Sequence, residues 1–216
     1  MKIALLGAES TGKTRLSVAL ARTLRERDHG VTLVPEALRA WCAAQGRTPR
    51  ADEQAGIAHA QAEAVLGAPT GHWVVADTTP LMTAIYSDML FADRSLYEFA
   101  LAHQRCYDVT LVMATDLPWV ADGIQRDGPQ VRAPVTALLR HALENAGLRY
   151  QMVTGGGETR LSRALDAIEF EAARGDSLGL SDPKPLKSGP ENWVCGCCGD
   201  ADCERRLFSR LRAREG

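Results

Sequence analysis

No apolar run in these 216 residues approaches the roughly 20 needed to cross a bilayer as a helix, so the sequence offers no membrane span. Neither sign of charge is in excess. With 25 Lys and Arg against 27 Asp and Glu, the formal net charge is −2, which gives no basis for non-specific nucleic-acid binding. The first strand pattern begins at Lys2, leaving no room for a signal peptide. No internal repeat is visible, and the length suits one sizeable core with at most a small appendage. Cysteine is scarce over most of the chain: of six, four crowd between Cys195 and Cys203. In a chain of this kind such usage points to a reducing, cytoplasmic setting, where thiols serve as metal ligands or plain core.

What is present is an alternation. Apolar runs at 3–6, 31–34, 73–76, 109–113 and 150–153 read as buried strands. Helical spacing fills the intervals: from Lys13 to the stop at Gly30, 37–44, 52–66, two stretches within 81–106, 134–146, and 158–173. Strands alternating with helices predict a three-layer α/β sandwich, a parallel sheet covered on both faces and joined by right-handed crossovers. In such sheets ligands bind at the carboxyl ends of the strands.

The first of those ends carries the most specific motif. Gly7-Ala8-Glu9-Ser10-Thr11-Gly12-Lys13-Thr14 fits G-x-x-x-x-G-K-[ST] in the strand–loop–helix context the motif requires. Glycines let successive N–H groups turn in around phosphate oxygens, and the next helix aims its positive end at the same anion. Lys13 can reach the β- and γ-phosphates of ATP, and the Thr14 hydroxyl can sit on Mg²⁺.

Two carboxylates follow later strands. Glu36, after the second, can take the proton of an attacking hydroxyl or merely stand at a helix start after Pro35. Asp77, after the third, can hold Mg²⁺ or cap the next helix; its position on the same edge as the loop favours the metal. Beyond the fourth strand, Trp119 to Arg132 contains Asp122, Gly123, Arg126, Asp127 and Gly128. A charged, Gly-containing stretch there suits a lid whose arginines stabilise a transferring phosphoryl group, or a solvated loop.

Read together, Gly7 to Thr14, Val34-Pro35-Glu36 with Arg39, Ala76-Asp77-Thr78-Thr79, and Leu117-Pro118-Trp119-Val120-Ala121-Asp122-Gly123 followed by Arg126 and Arg132 resemble the ribosylnicotinamide kinase domain of NadR-type proteins. They also resemble the broader family of small AAA-type, kinase-like P-loop ATPases. The resemblance covers roughly residues 1–174 and implies a P-loop fold with a five-stranded parallel sheet in the order 2-3-1-4-5. It implies Glu36 as general base, Asp77 as a magnesium or substrate carboxylate, and Arg126 and Arg132 as lid arginines. Trp119 and Tyr86 could stack on a base or pyridine ring, although packing is the commoner role for such residues. The implied activity is transfer of the ATP γ-phosphate to a nucleoside-type acceptor such as nicotinamide riboside. Bifunctional members carry an adenylyltransferase with an H-x-G-H motif; no H-x-G-H occurs here, so adenylyl transfer is not implied.

Composition changes after Arg174, and residues 175–216 read as a linker followed by a Cys-rich tail. Cys195 and Cys198 make a C-x-x-C that encloses Cys197, and Cys203 follows. Four thiols this close suit tetrahedral zinc, yet the usual structural site uses two separated pairs and only one is clear. A redox-sensitive cluster or an ordinary tail are the other readings. Cys42 and Cys106 sit in helical patterns and are expected in the core. The tail motivates a second function, a slow ATP-hydrolysing regulatory module that senses metal or redox state.

Overall fold

A strand buried on both faces needs apolar residues at nearly every position, and the five apolar runs all become strands, the first, third and fourth most deeply buried and the last, at the sheet edge, leaving Met152 exposed. The computed structural model describes residues 1–120 and 128–177. In chain order the strands are β1 (Lys2–Leu6), β2 (Val31–Val34), β3 (Trp73–Asp77), β4 (Val109–Met113) and β5 (Gln151–Val153). The helices are α1 (Lys13–Glu26), α2 (Ala37–Gln45), α3 (Gln54–Leu66), α4 (Pro80–Phe91), α5 (Tyr97–Gln104), α6 (Arg132–Asn145) and α7 (Gly157–Ser177). All neighbouring strands run parallel in the order β2-β3-β1-β4-β5, as the family resemblance implies.

Alternation along each strand divides the core. Ile3 and Leu5 of β1, with Val109, Leu111 and Met113 of β4, face Leu16, Leu20 and Leu24 of α1 and Ile168 of α7. Leu6 and Val112 face the other way, onto Leu81 and Ile85 of α4 and Val135, Leu139 and Leu143 of α6. Ala4, Val34, Val74 and Ala76 meet Val65 of α3 on that second side. Each buried large side chain contributes about 1.5–3 kcal/mol, and having apolar cover on both sides leaves the strand ends as the only place for polar chemistry.

Several boundaries differ from the sequence expectation, each for a local reason. Helix α6 starts at Arg132, not Pro134, after a short 3-10 turn at Pro129–Val131; proline in a first helical turn removes only a donor that has no intrahelical partner. The stretch expected to be helical from Asp52 begins with a 3-10 turn, Ala51–Glu53, tied by the Arg50 amide to the Glu53 carboxylate at 2.8 Å. Helix α7 runs to Ser177, past the expected end at residue 173. Cys42 is buried as expected, whereas Cys106 lies beyond the end of α5 in a turn and is only half-buried. No helix among the described residues is long and apolar enough to cross a membrane.

One polar chain crosses the apolar layer under α4 and α5. The Thr79 hydroxyl donates to Gln104 Oε1 at 2.7 Å, and Gln104 Nε2 donates to the Thr110 hydroxyl at 3.0 Å. Thr79 also caps α4, its hydroxyl accepting from the Leu81 amide at 3.3 Å. Gln104 is thus the single side chain joining the cap of α4 to the middle of β4. Replacing it by leucine strands two buried hydroxyls, so Gln104→Leu is expected to lower unfolding free energy by about 2 kcal/mol in urea titration.

Candidate active site

A phosphate-binding loop needs its amides turned toward one point, and the turn from β1 into α1 supplies the backbone for it. Gly7, Ser10 and Gly12 all take positive φ, at 145°, 56° and 80°. At Gly7 a Cβ would also lie 3.0 Å from the Cβ of Met113 on β4, so no larger residue fits without displacing the strand. No acidic residue occupies the first turn of α1, whose positive end is left for an anion. The Lys13 ammonium folds back over the loop and donates to the Gly7 and Ala8 carbonyls at 2.8 and 2.9 Å. The Thr11 hydroxyl braces the turn by donating to Ala8 O at 2.7 Å, while Thr14 stays exposed.

Glu9 and Ser10 use their side chains differently from a phosphate ligand. A carboxylate in a loop built for anions has the wrong sign, and here it is turned onto two N–H groups. Glu9 Oε1 accepts from Trp119 Nε1 at 3.0 Å and from the Gly128 amide at 3.1 Å. The Ser10 hydroxyl accepts from the Val120 amide at 2.8 Å. These side chains therefore tie the loop to both flanks of residues 121–127, and only their backbone amides remain for a phosphate. Trp119 is half-buried with its indole N–H held by this bond; Tyr86 is half-buried on α4 against the core.

Val34 pairs with Ala76, so the segments leaving β2 and β3 emerge side by side. Glu36 stands at the N-cap position of α2, yet its side chain makes no capping bond. The Ala37 amide is taken instead by Gln61 Oε1 of α3 at 2.7 Å. That removes the capping reading and leaves the carboxylate for other work. It is 17% exposed and lies 3.5 Å from Arg39 Nε. Burial raises its pKa; Lys13 opposes this, Asp77 adds to it, and Arg39 opposes again, with the balance upward. Lys13, Glu36 and Asp77, far apart in the chain, thus act on one another.

Asp77 is 2% exposed, and its Oδ1 has no hydrogen-bond partner among the described residues. It does not cap α4, since Thr79 does. An orphaned buried oxygen costs about 1–3 kcal/mol, more for a charged group. A carboxylate in that state and the Thr14 hydroxyl are the kinds of hard oxygen donor that Mg²⁺ takes alongside phosphate and water. The next residue, Thr78, is buried with φ 77°, a left-handed conformation that a β-branched side chain rarely adopts.

The arginines divide. Arg132 opens α6, buried, donating through Nη1 to Leu117 O at 2.9 Å, with Nε and Nη2 unpartnered among the described residues. Arg126, with Asp122 and Gly123, lies outside the described residues, as do Cys195, Cys197, Cys198 and Cys203. Among the described residues no group of three or more His, Cys, Asp and Glu side chains is placed to hold a metal. A separate cleft of about 230 Å³ sits at the amino ends of β4 and β5, lined by paired charges such as Arg149 and Glu171, away from this chemistry.

Sequence reasoning missed Arg160 and Asp116. Arg160, 3% exposed on α7, donates to Thr11 O of the loop, to Gly155 O at 2.6 Å and to the Asp116 carboxylate. Asp116 in turn accepts from the Gly155 amide at 2.5 Å. The signal was available: both come soon after strand ends, and Arg160 closes the stretch Gly155-Gly156-Gly157-Glu158-Thr159-Arg160. Arg160→Met is expected to cost about 2–4 kcal/mol in urea unfolding and to weaken ATP binding measured by calorimetry, because the loop loses its lateral anchor.

A family model described as an AAA domain matches residues 2–160. Among solved structures, NadR protein in complex with NAD and AMP-PNP superposes with a TM-score of 0.63 at 20% identity, covering 80% of this chain and 49% of that one. NadR protein in complex with NR gives a TM-score of 0.62 at 20% identity over the same shares, 80% and 49%. A deoxyadenosine kinase from M. mycoides, with products dCMP and a flexible dCDP bound, gives a TM-score of 0.56 at 12% identity, over 79% of this chain and 100% of that one. The chain spans about half the length of the NadR chains it matches. No curated protein sequence matches it. At these identities the structures show the fold alone, that of a P-loop kinase-like protein, and the family model matches most of the chain: this chain belongs to the AAA domain family.

Proposed function

We propose that this protein is an ATP-dependent small-molecule kinase that transfers the γ-phosphate to a hydroxyl of a nucleoside-type acceptor such as nicotinamide riboside. One observation carries the reading: Glu36, released from capping by Gln61, stands in the field of Lys13 and Asp77 with a raised pKa. A plain ATPase needs only to orient water; a buried carboxylate beside the loop lysine suits removal of a proton from a bound hydroxyl. The fold it shares with NadR and with a deoxyadenosine kinase supports the same class.

In the proposed reaction the loop amides and Lys13 hold the triphosphate of ATP. Glu36 accepts the acceptor's hydroxyl proton as its oxygen bonds to the γ-phosphorus, and the bond from that phosphorus to the β–γ bridging oxygen breaks. Thr14 and Asp77 would hold Mg²⁺, which when bound neutralises charge on the β- and γ-phosphates. Arg132 would offer its unpartnered guanidinium edge to the phosphoryl oxygens, and Arg126 is assigned the same task from the lid. A regulatory ATPase with a zinc- or redox-responsive Cys195–Cys203 tail is the second reading, favoured by that cluster alone. Its marks are ADP release indifferent to every acceptor and zinc retained by protein purified without chelator.

Incubation with Mg-ATP and a nucleoside panel is expected to yield a phosphorylated nucleoside; ADP release unchanged by all acceptors would sink the kinase reading. Lys13→Ala should abolish turnover, and Glu36→Gln should lower kcat by about 10²-fold or more. Because the base works deprotonated and its pKa is raised, kcat/KM should fall on acidification with a midpoint above the ordinary glutamate value of about 4.3. Arg39→Met removes a cation that lowers that pKa, so the midpoint should move further up; a downward shift would contradict the assignment.

A further inference from the structure

Helix α3 carries a glutamine at two points of one buried stripe, Gln54 and Gln61, with Ile57 and Ala58 between them. They are 3% and 1% exposed. Each leaves one amide atom without a partner among the described residues, Oε1 of Gln54 and Nε2 of Gln61. Asp77 Oδ1 and the Thr78 hydroxyl, at the end of β3, are in the same condition. Apart from those of His103 and Tyr107 and the Arg132 guanidinium, these are the buried side-chain atoms so left among the described residues.

Gln61 is placed by its other end. Its Oε1 accepts from the amide of Ala37, the residue after Glu36, which leaves the nitrogen as the atom without a partner among the described residues. Helix α3 runs into β3 through a crossover, so it is antiparallel to the strands and its first residues lie toward their carboxyl ends. Gln54 stands seven residues before Gln61, two turns and about 10.5 Å further out on the same face. That span matches the reach of a nucleoside from its primary hydroxyl to the far edge of its base. The charges that lead into α3 are already matched. Arg47 binds the Glu53 carboxylate through both nitrogens at 2.8 and 2.7 Å, and Arg50 lies 3.4 Å from Glu53 and 3.7 Å from Asp52. A ligand beside Gln54 meets a neutral amide, and the arginines that lead into α3, Arg47 and Arg50, are already paired with carboxylates.

We propose that Gln54 and Gln61 line the acceptor subsite. Gln61 donates to the sugar next to Glu36, Gln54 accepts from the base, and the acceptor's base edge is uncharged and carries an amide or amine N–H. The assignment rests on the kinase reading and narrows its substrate class: a carboxamide- or amine-bearing nucleoside is taken, and its carboxylate counterpart is refused.

The test uses the full chain with Mg-ATP and three acceptors, nicotinamide riboside, nicotinate riboside and adenosine, following phosphorylated product by mass and ADP release by rate. Wild type should use at least one of the two neutral acceptors with kcat/KM about tenfold or more above nicotinate riboside. Gln54→Leu should raise the KM of the accepted nucleoside about tenfold and bring the amide-to-acid ratio within about twofold, with the KM for ATP unmoved. Gln54→Glu keeps the shape and an accepting oxygen; it should retain the neutral acceptor and abolish the residual use of nicotinate riboside, and it decides the matter if the leucine variant does not fold. Gln61→Glu keeps an oxygen for the Ala37 amide and loses the donor, so kcat should fall about tenfold. Equal use of amide and acid by wild type, or Gln54 variants with unaltered KM and ratio, overturns the subsite while leaving a kinase. No phosphorylated product from any acceptor overturns both.

Discussion

The turn from β1 into α1 is gripped through its carbonyls. Lys13 takes those of Gly7 and Ala8, the Thr11 hydroxyl adds a bond to Ala8, and Arg160 takes Thr11 from the side. A peptide group whose oxygen is held in a hydrogen bond has its N–H directed the opposite way, so gripping the carbonyls fixes where the amides point. Met113 beneath Gly7 fixes the depth of the turn, and the sheet is what keeps Met113 there. The loop is therefore less a flexible cradle than an extension of the core. Its two outward side chains, Glu9 and Ser10, then tie that rigid piece to Trp119, Val120 and Gly128.

Strand order carries this rigidity sideways. With β3 between β1 and β2, Asp77 emerges between the loop and Glu36, and three ionisable groups from three chain regions share one patch. The Thr79–Gln104–Thr110 chain under α4 is paired. Asp77 and Thr78 at the end of β3, and Gln54 and Gln61 on α3, each keep an atom unpartnered among the described residues, and Thr78 holds a left-handed backbone. Unpartnered atoms recur at His103, Tyr107 and Arg132; what sets the end of β3 apart is that they coincide there with strained backbone, a combination expected where a protein is built to meet a ligand.

Legibility in the sequence divides along the same line. Strands buried on both faces leave apolar runs, which made β1, β3 and β4 plain and the edge strands readable beside them, while their order was legible through the family resemblance. Glu36 and Asp77 drew attention because charged residues soon after such runs stand out. Whether they capped helices was not legible, since the answer lay in Gln61 and Thr79, one of them 25 residues away from Glu36. Gln54 and Gln61 left no trace because an uncharged amide inside a helical pattern looks like any exposed position. Arg160 was hidden by the shortness of β5, whose three residues give only a weak cue to inspect the turn beyond it. The reversal of Glu9 away from the phosphate site is a tertiary event, decided by Trp119 and Gly128 more than 100 residues on.

The balance of charge around Glu36 also bears on how a kinase of this build would avoid idle chemistry. In the structure Lys13 holds the carboxylate's pKa down while Asp77 and burial hold it up. Under the proposed reaction Lys13 turns its charge to the triphosphate, and Asp77 has its own offset by the cation it would share with Thr14. Both influences shrink together. What remains under that reaction is burial, which would deepen with a bound acceptor, and Arg39 at 3.5 Å. Deeper burial disfavours the charged carboxylate, so a bound acceptor would face a stronger base than solvent water does.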